Sequence, residues 1–326
     1  MWNKKQGGES YSKAVQNLTL VNEVFLFGFG NLHNIGLLVF ILLLLVYILT
    51  VCENVLIITL VATNQNLQSP MYFFLKHLSM ADLLQTASVV PILLSTVINE
   101  GVTFPLAGCI TQFYLFSDSE CFQCLLLSVM SYDRYLAICN PLRYNSIMNH
   151  RICVKMILVL LLISSILPLC TVSAIVTLQF CARTTIDHFF CDLSPLLELS
   201  CSDTFFVQME VTVLSVPAIV SPFIIIIVSY VCIVRSILKI TSSSGRQKAF
   251  STCSSHLVVV SMFYGTLISI YLVPQRNQLL TISKFLSLFY TVVIPLVNPI
   301  IYSLRSKDIK SAVQKTFRQC SIDDLY

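Results

Sequence analysis

The sequence predicts an all-α membrane protein, a seven-transmembrane helix bundle followed by a short amphipathic helix. Three observations carry this. First, 56% of the 326 residues are hydrophobic and 11% are charged, where soluble domains run near roughly 25% charged. Mean hydropathy is +0.81. Second, there are seven apolar runs, at 36–62, 71–98, 108–139, 152–178, 205–240, 249–273 and 282–303. Each reaches the ~20 residues that a helix needs to cross ~30 Å of hydrocarbon. Third, the charges alternate. Segments after the first, third, fifth and seventh runs hold Arg143, Arg151, Arg246, Lys248, Arg305, Lys307, Lys310, Lys315 and Arg318, whereas the opposite segments hold Glu100, Asp187, Asp192, Glu198 and Asp203. By the positive-inside tendency the amino terminus lies outside and the carboxyl terminus in the cytoplasm. The bases then need no nucleic acid to explain them.

Three regions follow: an extracellular tail over 1–30, the seven-transmembrane domain over 31–303, and a cytoplasmic amphipathic helix and tail over 304–326. The tail lacks an apolar core flanked by a small-residue cleavage site, so no signal peptide is expected. It contains the only Asn-x-Ser/Thr sequon with a non-proline middle residue, Asn17-Leu18-Thr19, and an outside amino terminus makes Asn17 a glycosylation site. The runs must be helical because lipid cannot satisfy an open backbone. Pro91, Pro168, Pro217, Pro222, Pro295 and Pro299 fall inside them as kinks. Polar stretches at 63–69 and 241–245 read as cytoplasmic turns. Beyond the seventh run, Leu304, Ile309, Val313 and Phe317 recur among bases, the pattern of a helix lying on the inner leaflet. Cys320 beyond it is either palmitoylated or unmodified. No internal repeat stands out, which weighs against an inverted-repeat transporter.

Most of the 13 cysteines lie in apolar runs, where a cysteine acts as a small hydrophobe. Cys109, Cys181, Cys191 and Cys201 sit on the outer side, and four cysteines allow three pairings. They show no metal-binding spacing, and no metal or cofactor is expected.

The third run ends in the most informative string, Met130-Ser131-Tyr132-Asp133-Arg134-Tyr135-Leu136-Ala137-Ile138-Cys139-Asn140-Pro141-Leu142-Arg143-Tyr144. An acid beside an arginine at the foot of a membrane helix reads either as an interfacial ion pair or as a switch. The string closely resembles the third-helix signature of odorant receptors, a branch of the rhodopsin-like G-protein-coupled receptors. Four more stretches resemble that family in order: Ser69-Pro70-Met71-Tyr72-Phe73-Phe74-Leu75 running on to Asp82; Ser229-Tyr230; Lys248 to Leu257 (KAFSTCSSHL); and Pro295 through Asn298-Pro299-Ile300-Ile301-Tyr302 to Arg305.

The resemblance implies a receptor, not an enzyme, for a small volatile ligand. The partner it implies is a heterotrimeric stimulatory G protein of the olfactory type, with cyclic AMP as output. The setting is the plasma membrane, in cilia of olfactory sensory neurons. It pairs Cys109 with Cys191 and Cys181 with Cys201. It assigns Asp133, Arg134, Tyr135, Tyr230, Asn298, Pro299 and Tyr302 to coupling and switching. It also groups Asn54 and Asp82 with Asn298 in a polar cluster. There Gln123 stands where the family often has an acid, a departure that bears on sodium binding. On the sixth helix it places Tyr264, Leu267, Ile268 and Tyr271 in the ligand pocket, with Leu214 on the fifth and Leu288 and Thr291 on the seventh.

The residues themselves add one reading. Phe113, Phe116, Ser117, Glu120, Cys121 and Cys124 share a helical face. Glu120 lies eleven residues below Cys109, hence about 16 Å into the membrane. Glu120 either contacts ligand or hydrogen-bonds a neighbouring helix. As a ligand contact it favours a polar or basic volatile. Asp118 points about 160° away and cannot share that face. Ser254, Ser255 and His256 are adjacent in sequence and point in different directions on a helix, which argues against an intramembrane catalytic set. A receptor for a non-odorant small molecule and a transporter are the rival classes.

Overall fold

The computed structural model describes residues 21–30, 32–181, 183–272, 280–305 and 308–314. Asn17 and Cys320 lie outside them. The first three spans are α1 (Gly36–Thr63), α2 (Pro70–Ile98) and α3 (Leu106–Cys139). A short α4 (Pro141–Ile147) leads to the fourth span, α5 (His150–Ile175), and α6 (Leu193–Glu198) lies in the long loop after it. The fifth span is α7 (Phe205–Ser215), a π turn (Val216–Val220) and α8 (Ser221–Leu238). The sixth is α9 (Ser243–Leu272). The seventh is α10 (Leu280–Leu288), a π turn (Phe289–Val293) and α11 (Ile294–Arg305). Residues 308–314 are helical again.

Six spans are long and apolar enough to cross a membrane. The third has the length but carries Asp118, Glu120, Asp133 and Arg134. The reason is position. Eight consecutive residues of α3, Cys121 to Ser128, are buried, and more than two turns without an exposed face leave no side for lipid. Protein covers this helix from the second, fourth, fifth and sixth spans, so it need not be apolar all round. The first span is the opposite case: Leu37, Leu38, Ile41, Leu42, Leu45, Ile48 and Leu49 are exposed at helical spacing, the stripe of a helix facing hydrocarbon.

Two boundaries depart from the sequence expectation. The sixth span begins at Ser243, inside the stretch expected as a turn, because Ser242 caps it: its Oγ accepts from Gly245 N–H at 3.3 Å and its carbonyl from Arg246 N–H at 3.0 Å. Hydropathy reports where lipid begins, and a capped helix extends past that point into water. The second departure is at the other end. Residues 21–30 of the expected tail are packed, with β1 (Glu23–Leu26) as the middle strand of a three-stranded sheet. β2 (Val102–Pro105) pairs with it antiparallel and β3 (Thr185–Ile186) parallel. Val24 and Leu26 are fully buried while Glu23 is exposed, the alternation of a strand covering a core.

This sheet caps the bundle. Lys284 at the start of the seventh span donates to the Gly28 carbonyl at 2.7 Å and to Asp187 at 2.6 Å. Disulfides Cys109–Cys191 and Cys181–Cys201 tie the long loop to α3 and to itself, the pairing implied by the resemblance. Between them Phe189 and Phe190 are buried under the cap, stacked on Phe29 and against Phe116.

Candidate functional site

Beneath the cap, between the third, fourth and fifth spans, lies a cavity of about 120 Å³. Of the residues singled out in sequence, Phe113, Ser117, Glu120, Cys121 and Leu214 line it. Phe116 is turned to Phe190 and Tyr290 instead. The sixth- and seventh-span residues lie apart from it. Tyr264 is buried, stacks on Phe223 and donates to the Cys124 carbonyl at 3.4 Å. With Ile268 it borders a separate groove between the fifth and sixth spans. Leu267 is buried, Leu288 packs at the edge of the core, and Thr291 bonds back to the Ser287 carbonyl. The Tyr271 side chain is outside the described residues.

The cavity has walls that sequence reading missed. Leu167, Pro168 and Thr171 come from the fourth span, Asp192 and Leu193 from the long loop, and Ser215, Ala218 and Ile219 from the fifth. The last three sit at the π turn that holds Pro217. A proline lacks an N–H and cannot extend the i to i−4 ladder. Two prolines five residues apart, Pro217 and Pro222, were the available signal, since widened turns of this kind recur at functional sites.

Glu120 lies near Tyr290 on the seventh span and within electrostatic reach of Asp192. Asp192 caps α6 through Leu193 N–H at 2.7 Å. Burial pushes the Asp192 carboxyl up, and that hydrogen bond opposes the shift. Asp118 is on the other side of α3, accepting from Ser164 and Ser165 at 3.3 and 3.0 Å.

Deeper lies the polar cluster. Asn298 donates to both oxygens of the fully buried Asp82, at 3.3 and 3.2 Å. Asn54 donates to the Pro295 carbonyl at 3.1 Å. That carbonyl lacks its helical partner because residue 299 is proline, so the amide repairs a ladder that Pro299 breaks. Gln123 donates to Gln85 Oε1 at 2.9 Å and makes no bond to Asp82 among the described residues. Gln85 is one turn along from Asp82, which puts both on one face. Among the described residues no group of three or more His, Cys, Asp or Glu could hold a metal ion.

At the end opposite the cap, Arg134 is ion-paired with Asp133 through Nη2 and Nε. Asp133 is fully buried, and its other oxygen accepts from the Tyr144 hydroxyl of α4 at 2.8 Å. Burial and the Asp133 carboxylate push Tyr144 up, which keeps it a donor. Tyr135 stacks on Tyr132 and accepts from Asn140. Tyr230 joins His256 of the sixth span at 2.7 Å and donates to the Cys253 carbonyl at 3.4 Å. Arg134 thus bonds neither Tyr230 nor the buried Tyr302 in this state. Pro299 stays helical within α11.

Known proteins match along nearly the whole chain. The family described as olfactory receptor matches residues 43–320. Human olfactory receptor 11L1 is 45% identical over 94% of this chain and 96% of its own length. Mouse olfactory receptor 2A7 is 41% identical over 93% and 97%, and the dog olfactory receptor-like protein OLF1 is 42% identical over 93% and 97%. A bundle of membrane-crossing helices, an acid–arginine pair closing one end, a roofed cavity at the other and these matches lead to one conclusion: the chain belongs to the olfactory receptor family of multi-pass G-protein-coupled receptors, which are not enzymes.

Proposed function

We propose that the protein is an odorant receptor that takes a small volatile molecule into the roofed cavity. It then activates a stimulatory, olfactory-type G protein to raise cyclic AMP. In this reading the capped end is extracellular, Asn17 carries a glycan, and the Arg134 end faces the cytoplasm of olfactory sensory cilia. The observation that carries it is the third span, one buried helix that lines the cavity at Glu120 and holds the Asp133–Arg134 pair at its other end. Thirteen residues at 1.5 Å rise separate the two sites by about 20 Å.

The mechanism is a population shift. A ligand drives it only by preferring the active arrangement, since equal affinity for both states moves nothing. In the active arrangement Arg134 leaves Asp133 for Tyr230 and Tyr302, and the sixth span, from Lys248, moves outward to admit the G protein. The Tyr230–His256 bond between the fifth and sixth spans is what that movement breaks. The test is a screen of odorants across chemical classes for cyclic AMP, in cells co-expressing the olfactory-type G protein and normalised to surface-stained receptor. A concentration-dependent, receptor-specific response is the expected result. Silence from well-stained cells across all classes refutes the odorant reading.

A further inference from the structure

We propose that the cavity takes a small protonated amine, its ammonium held between Glu120 of the third span and Asp192 of the long loop. The proposal rests on the cavity being the receptor's ligand site. Among the described residues, the charged groups lining this space are those two carboxylates, with no lysine, arginine or histidine beside them. Among the described residues no base pairs with either carboxylate. Among the described residues the two ion pairs are Asp133–Arg134, at the far end, and Asp187–Lys284 in the cap. Lys284, on the capped end of the bundle, is committed to Asp187 and to the Gly28 carbonyl.

Neither carboxylate holds the fold in the way the two fully buried acids, Asp82 and Asp133, do. Asp82 spends both oxygens on Asn298, and Asp133 spends both on Arg134 and Tyr144. Asp192 gives one oxygen, Oδ1, to the Leu193 N–H, and Glu120 lies near the Tyr290 hydroxyl. Two acids within electrostatic reach of each other in a mostly apolar cavity face no cation among the described residues, and a ligand can bring one. An ammonium has three donors and no acceptor, the complement of two carboxylates. A carboxylate ligand has no donor to offer the two acids and would bring negative charge against them. An alcohol would leave the pair uncompensated.

Size and walls complete the ligand. A cavity of roughly 150 Å³ holds benzene, so about 120 Å³ admits an amine of roughly five or six heavy atoms. Phe113, Leu167 and Ile219 face its alkyl part. The residue before Asp192 is tied to α3 twice, by the Cys109–Cys191 disulfide and by the Cys191 N–H donating to Gln112 Oε1 at 3.0 Å.

The test uses full-length receptor in cells with a cyclic AMP reporter. Its probes are n-butylamine and cyclopentylamine, against 1-butanol, cyclopentanol and butanoate. The expected result is activation by the amines at concentrations about a hundredfold below any response to the alcohols or the acid. Glu120→Gln and Asp192→Asn, matched for surface staining, should each lose the amine response by about a hundredfold, while Glu198→Gln on the exposed face of α6 should keep it. Asparagine still caps a helix, so Asp192→Asn removes charge and leaves the loop's first turn. Should a variant fail to reach the surface, thermal stabilisation of purified wild-type receptor by the amines, and not by the alcohols, gives the same decision. Activation by alcohols or butanoate with silence to amines overturns the amine reading and leaves the receptor reading standing. Silence of surface-stained receptor to the whole panel also overturns it, and the broad odorant screen then decides the receptor reading alone.

Discussion

His188 offers a direct measurement of how tightly the cap is sealed. The ring is buried between Phe189 and Phe190, at centroid distances of 4.6 and 4.8 Å, and its Nδ1 has no hydrogen-bond partner among the described residues. Burial, with the Lys284 ammonium adding to it and Asp187 opposing, lowers its pKa from 6.5 to about 3. The folded receptor therefore binds fewer protons here than the unfolded chain between those two values. The contribution is complete above pH 6.5 and is lost as pH falls below it. Each unit is worth about 1.36 kcal/mol, so at pH 5.0 the loss reaches about 2 kcal/mol. At roughly 2 °C per kcal/mol for a chain of this size, the melting temperature drops by about 4 °C between pH 7.5 and 5.0. Unfolding can be followed with a thiol-reactive dye, because Cys121, Cys124, Cys153 and Cys253 are free and buried. Replacement by phenylalanine keeps an apolar ring among rings and cannot titrate. The difference between wild type and His188→Phe isolates the histidine from Asp192 and the other acids. A difference that stays flat from pH 7.5 to 5.0 refutes a neutral, sealed His188.

Three further outcomes follow from the same geometry. Arg134→Ala should reach the surface and fail to raise cyclic AMP with any ligand; undiminished output from it sinks the switch. Tyr144→Phe removes a hydrogen bond to a buried carboxylate, worth roughly 1.5–3 kcal/mol, from the arrangement that restrains Arg134. Basal cyclic AMP should therefore rise about tenfold or more, and an unchanged baseline at equal surface staining counts against this restraint. Gly101 has φ +130°, where a side chain is strained, and an added Cβ would overlap the Phe25 ring of β1. Gly101→Ala should cost roughly 1–3 kcal/mol, read as a melting temperature several degrees lower, and a wild-type melt would mean that the cap sheet does not form as described.

The spans were legible in the sequence because the bilayer imposes length and apolarity on each helix independently, so seven runs could be counted without knowing their neighbours. The cap was not. Its strands are two to four residues long, too short for an alternation to be told from chance, and each is completed by a segment remote in sequence. The cavity divides along the same line. Helical period alone puts Phe113, Ser117 and Glu120 on one face. That Asp192 would face them depends on how a disulfide folds the long loop inward. The placement of Tyr264 beside Phe223 and away from the cavity depends on how the fifth and sixth spans lean, which no single-helix pattern encodes. Gln85 could have been found, since it is one turn from Asp82 and is the nearest amide on that face for Gln123 to meet.

The burial of the third span constrains how any signal can travel. Over Cys121–Ser128, where protein covers it on every side, the helix cannot bend alone, because interiors are close-packed and its neighbours would have to open with it. The fifth span is built otherwise. Its backbone is already widened at Val216–Val220, next to the cavity, and Ala218 and Ile219 of that turn are cavity wall. Below the turn, the same span carries Tyr230 to its bond with His256. In the proposed mechanism a ligand held by Glu120 presses on the part of the bundle whose hydrogen-bond ladder prolines have already loosened. The rigid third span then serves as the reference against which the fifth and sixth shift, and Arg134 is released when Tyr230 leaves His256.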